Sequence, residues 1–122
     1  MIFTNMIDLL FKRFPFLEQK YLEEGDYIFG LQHPCYSFVF VPYIREVVEN
    51  NDIGAIEQIC DFFEEMAICA DELVSELLVA SVLENIVSER NIIATLKKHL
   101  KPKTMERLSI LEKATGWDSE HE

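Results

Sequence analysis

Four carboxylates spaced for a single helix face, Glu57, Asp61, Glu64 and Glu65, are the first residues in this sequence able to support chemistry. At 100° per residue they fall within an arc of about 100°, opposite Ile59, Phe62 and Met66. Acids so placed suit either paired-carboxylate catalysis or electrostatic capture of a cationic partner. The first fails on spacing. Glu64 and Glu65 are adjacent, diverge by about 100° on a helix and share no proton. The di-iron pattern of bundles needs Glu-x-x-His from two helices, and the chain has none. The second reading is favoured by cost. Glu57/Asp61 and Asp61/Glu65 are like-charge pairs at i,i+4 and Asp61/Glu64 is one at i,i+3, each destabilising the helix by about 0.2–0.5 kcal/mol. Glu72 and Glu76 continue the theme on the next helix. The stripe is either a solvated face or a docking surface that steers a basic partner.

The remaining reactive residues do not assemble a site. His33-Pro34-Cys35 offers two soft ligands with no second pair at zinc spacing. His99 sits among Lys97, Lys98 and Lys101 near a helix end, where a cation suits the dipole. The sequence contains no H-E-x-x-H, no G-x-S-x-G and no Gly-rich phosphate loop. We therefore expect no catalytic residue, no metal, no cofactor and no small-molecule ligand; the chain reads as a non-enzyme. Cys35, Cys60 and Cys69 are odd in number and form no C-x-x-C pair, which suits a reducing compartment. Six of the aromatics lie between Tyr27 and Tyr43. Most of such a cluster is core, but tyrosine is enriched at interface hot spots. Tyr27 and Tyr36 flank the intervening loop and are the members expected to be exposed.

Charge and length narrow the class. The 122 residues carry 22 acidic and 11 basic side chains, a formal charge of −11. That balance opposes direct nucleic-acid binding, which needs a cationic footprint, and opposes an anionic membrane surface. The charge is segregated: from Glu46 to Glu89 there are twelve acids and no Lys or Arg, whereas Arg90 to Lys113 holds seven bases and two acids. The uncharged stretch from Tyr27 to Ile44 is 18 residues long but contains Pro34 and Pro42, so it reads as buried core plus a loop rather than a membrane span. The first six residues lack the basic lead and apolar run of a secretory signal. A cytoplasmic protein is expected.

The elements that must position these residues are helices almost throughout. The first is expected to start after Thr4 and to bury Ile7, Leu10, Phe11 and Phe14. Pro15 opens a second, with Phe16, Leu17 and Tyr21 inward and Gly25 as its stop. Residues 26–36 read as loop. Residues 37–41 are ambiguous between strand and helix, with Pro42 in the first turn of a helix to Asn50. Asp52 caps a helix to about Ile68, burying Ile56, Ile59, Cys60, Phe63, Met66 and Ala67. Asp71 caps the next, to about Ser88, apolar on nearly all sides and so expected to be central. Ile92, Ile93 and Leu96 face inward on a further helix. Pro102 opens the last, with Met105, Leu108, Leu111 and Ala114 as its stripe and Gly116 as its stop. The expected fold is all-α: a compact bundle of six to seven helices with a HEAT-like antiparallel hairpin, marked by Asp71-x-x-Val74. Residues 1–116 form one domain, and 117–122 a short acidic tail in which Trp117 locks the C-terminus to the body.

A further pattern is a resemblance. Leu9-Leu10-Phe11-Lys12-Arg13-Phe14-Pro15-Phe16-Leu17, Val41-Pro42-Tyr43-Ile44, Glu49-Asn50-Asn51-Asp52, Phe62-Phe63-Glu64-Glu65-Met66-Ala67 and Val79–Ile86 together resemble small bacterial immunity proteins. These are acidic helical antidotes encoded beside polymorphic toxins, including those of contact-dependent growth inhibition. The resemblance spans roughly residues 8–115. It implies a non-catalytic inhibitor that binds and occludes a cognate toxin domain, such toxins often being cationic nucleases. The partner-binding residues expected are Glu57, Asp61, Glu64, Glu65, Glu72 and Glu76, with Tyr27 and Tyr36. The alternative is a HEAT-like adaptor or scaffold for protein–protein interaction.

Overall fold

A computed structural model describes residues 1–117. Asp118 to Glu122, the acidic tail of the sequence reading, lie outside the described residues. Among the described residues the chain is all-helical, with seven helices and no strand. They are α1 (Met6–Arg13), α2 (Leu17–Glu24), α3 (32–49), α4 (Ile53–Ala67), α5 (72–86), α6 (Arg90–Lys97) and α7 (Pro102–Thr115). Short 3-10 turns at Phe3–Asn5 and Asp26–Ile28 precede α1 and follow α2. No helix among them is long and apolar enough to cross a membrane.

The starts and stops follow local chemistry. Asp52 caps α4 by accepting from the Ala55 N–H, and Asp71 caps α5 by accepting from the Leu73 N–H. Gly116 ends α7 in the left-handed region at φ 81°, and Asn51 takes φ 54° between α3 and α4. Thr4 does not cap α1. It lies inside the 3-10 turn, and Asn5 stands at the cap position. The other Asp71 oxygen accepts from the Phe3 N–H at 2.9 Å, tying the N-terminus to the start of α5.

Residues 37–41 are helical, and the helix begins earlier than expected, at Gln32. Pro34 lies in its first turn, where a missing N–H costs nothing. Pro42 lies in its middle, which a regular α-helix resists. The conflict is resolved by π-helical turns at Tyr36–Phe40, where the Val41 N–H reaches back five residues to the Tyr36 carbonyl. A second π-helical segment, Leu78–Leu83, interrupts α5, and the Glu84 N–H reaches the Val79 carbonyl. The two widened segments pack against each other.

Helices α3 and α5 share the centre. Helix α3 packs on α1, α2, α4, α5 and α6, and α5 on α3, α4, α6 and α7. Helix α4 and helix α5 form the expected hairpin, and α7 lies across both. The core is aromatic at one end: Phe14, Phe40 and Phe62 meet with ring centroids 5.4–5.9 Å apart. The helix faces need four corrections. Met6 replaces Ile7 and Phe11 as the fully buried partner of Leu10 and Phe14. Phe16 is 55% exposed, because Pro15 and Phe16 turn outward before α2 starts. Phe62 is buried along with Phe63. On α7 the buried positions are Thr104, Leu108, Leu111 and Glu112, while Ala114 is exposed.

Candidate functional site

The acidic stripe is not a uniform docking face, since three of its four members are held by the protein itself. Glu64 caps α7: its carboxylate accepts from the Lys103 N–H at 3.0 Å and from the Thr104 N–H and hydroxyl at 2.9 Å. Burial opposes ionisation there, but those donors and Lys101 hold the carboxyl below its ordinary range. Glu65 receives a bidentate pair from Arg13 at 2.7 and 2.9 Å, with the guanidinium lying over the Phe62 ring. Asp61 pairs with Lys101. Only Glu57 of the stripe is exposed without an ion pair among the described residues.

The basic C-terminal third therefore folds back onto the acidic middle. Glu112, nearly buried on α7, completes the exchange by pairing Arg90 at 2.7 Å and Lys97 at 2.9 Å. Its burial is likewise outweighed by these two cations, and its carboxyl titrates below the usual range. Arg45 of α3 meets Glu89 through a bidentate pair. Trp117 lies beneath Arg90, with its N–H donated to the Glu112 carbonyl. Within the tract from Glu46 to Glu89, the exposed glutamates without an ion pair among the described residues are Glu46, Glu49, Glu57, Glu72, Glu76 and Glu84.

The two tyrosines part company. Tyr36 is fully buried and donates its hydroxyl to the Met6 carbonyl at 2.7 Å, which corrects the expectation that it is exposed. It lies inside the π-helical turns, whose wide step carries it into the core. Burial pushes its phenol far up. Tyr27 is 60% exposed, as expected, and its hydroxyl donates to Glu24. The eight residues expected at the interface thus do not converge.

A second surface was not legible as a site. The start of α2, the middle of α3 and their exposed aromatics enclose a groove of about 500 Å³. Its apolar lining joins the exposed Phe16, Phe38 and Pro42 and the half-buried Tyr43 to the buried Leu17 and Val39. Phe38 is 51% exposed and faces Tyr27 at 6.2 Å; Phe16 meets Tyr43 edge-on at 4.8 Å. Lys20, Glu24 and Glu46 edge the groove. Burial, and after it the nearby Asp52 and Glu46 carboxylates, push the Tyr43 phenol above its ordinary range. The Pro-Phe step before α2 and the uncharged run before Pro42 were the available signals.

His33 stands elsewhere, on the contact between the two π-helical segments. Its Nδ1 meets the Ser81 hydroxyl, while the Ser37 hydroxyl and Asn85 amide both donate to the Ser81 carbonyl. Ser81 is buried, and the His33 ring lies tilted against Phe3 at 5.7 Å. This network satisfies backbone groups that the widened turns release. Cys35 and Cys60 are buried, and burial pushes both thiols to about 12, so neither is a nucleophile at neutral pH. No cluster of His, Cys, Asp and Glu among the described residues is placed to hold a metal ion.

Residues 7–113 match the family described as "Domain of unknown function (DUF7674)", and the chain belongs to that family. No curated protein and no solved structure matches it significantly.

Proposed function

We propose that this member of the family is a non-catalytic cytoplasmic immunity protein, which binds a cognate toxin domain and neutralises it by occlusion. The observation that carries the reading is the set of outward carboxylates, Glu46, Glu49, Glu57, Glu72, Glu76 and Glu84, left over after the basic third has been accommodated. A chain needing only to fold gains nothing from these six charges, which make up more than half of its net −11. A cationic partner would gain both orientation and speed from them. The composition supports a protein rather than a nucleic acid as that partner.

The test is co-expression with the variable C-terminal toxin domain encoded by a neighbouring gene. Wild-type chain is expected to restore growth and to co-purify with that domain. Glu57→Lys with Glu72→Lys and Glu76→Lys is expected to fold normally and to lose most protection. Full protection by the triple variant would refute the electrostatic mechanism, and failure of the wild type to protect would refute the antidote reading itself.

A further inference from the structure

The groove between α2 and α3 joins a concave shape to exposed aromatic area, whereas the concavities beside Glu57 and Glu72 have no aromatic walls apart from His99. Its volume, about 500 Å³, lies within the range of sites that seat a ligand or side-chain anchors. Phe16 and Phe38 both line one concavity and leave about half of their surface in water. Phe16 meets Phe14 and Tyr43 edge-on and Phe38 faces Tyr27, so each ring is held in place while part of it stays open. Aromatic anchors of this kind dominate binding energy at protein interfaces.

Charge says what such a groove would accept. Two carboxylates, Glu24 and Glu46, and one ammonium, Lys20, lie along it, and Asp52 adds negative potential at the Tyr43 end. Aromatic faces themselves attract cations. A second copy of this chain carries −11 and is repelled. The chain's own terminal residues, Asp118 to Glu122, carry three acids, one histidine and no Lys or Arg and suit the groove no better.

We infer that the α2–α3 groove is a docking site for a basic, apolar segment of a protein partner, with an apolar side chain between Phe16 and Phe38 and an adjacent Lys or Arg against Tyr43 and Glu46. Only the identity of the partner rests on the antidote reading; the groove's preference does not.

The experiment is selection of a random dodecapeptide display library on the purified full chain, followed by titration of the enriched peptides. Enriched peptides are expected to pair Leu, Phe or Trp with Lys or Arg. Their affinity is expected to fall at least about tenfold in Phe16→Ala/Phe38→Ala and in Glu46→Lys. Circular dichroism verifies that the variants fold, and Glu46, being exposed, provides a test independent of the aromatic pair. No enrichment, acidic or uncharged consensus peptides, or affinity indifferent to both variants would overturn the proposal. Peptide selection decides the groove and toxin protection decides the antidote reading: protection without basic-peptide enrichment would overturn the groove alone, and basic-peptide binding without protection would overturn the antidote reading alone.

Discussion

The Glu64 carboxylate accepts three hydrogen bonds across about forty residues of sequence, and this makes it a fold residue. Glu64→Gln keeps the size and loses the charge, so α7 loses the better part of its cap. We expect a loss of about 1–2 kcal/mol by urea denaturation, with protein binding untouched. The pH dependence has a defined sign. A carboxyl held below its unfolded value adds stability above that value and forfeits it as pH falls through the folded one. Glu64 and Glu112 are both depressed. Stability of the wild type should therefore be flat near neutrality and fall below about pH 4, and the gap to Glu64→Gln should close over the same window. A gap that persists at pH 2 would contradict this account.

Among the elements, caps and stops were legible because they are local. Asp52, Asp71 and Gly116 act within a few residues of themselves, and the sequence pattern needs nothing else to find them. Asp71 does more than Asp52, since its second oxygen holds the Phe3 N–H. Asp71→Ala should cost about 1–2 kcal/mol and expose Phe3 to faster amide exchange, whereas Asp52→Ala should cost about 1 kcal/mol and leave Phe3 protected. The start of α3 was misread because Pro34 and Pro42 resemble loop punctuation. What reconciles Pro42 with a helix is a five-residue backbone step, made tolerable by the facing segment of α5 and the Ser37, Ser81 and Asn85 contacts there. That is a tertiary accommodation with no local signature. The burial of Tyr36 follows from it and was hidden for the same reason. The aromatic groove is not legible: the exposure of Tyr27, beside Phe38, is read correctly, but Phe16 is placed inward because periodicity alone does not reveal the Pro15 turn.

For the molecule as a whole, the segregation of charge along the chain was plain, but its destination was not. Sequence counts cannot say that Lys101 lands on Asp61, or that Arg13 lands on Glu65 from 52 positions away. The folded chain is less polarised than the linear one, with its residual negative field spread over α3, α4 and α5. Association with a cationic partner should accordingly depend on ionic strength, the on-rate falling about tenfold or more between low and high salt in stopped-flow measurements while dissociation changes little. An on-rate indifferent to salt would remove electrostatic steering. The widened turns set a different kind of constraint. Each holds one residue more than uniform winding would, so deleting a single residue between 36 and 40 would regularise α3 and leave what lies beyond it on nearly its present faces. The cost would fall on Pro42, whose ring and missing N–H a regular turn does not accommodate in mid-helix. The extra residue is thus the provision that lets a proline stand inside a continuous central helix, and a shortened chain would tolerate the deletion best with that proline replaced.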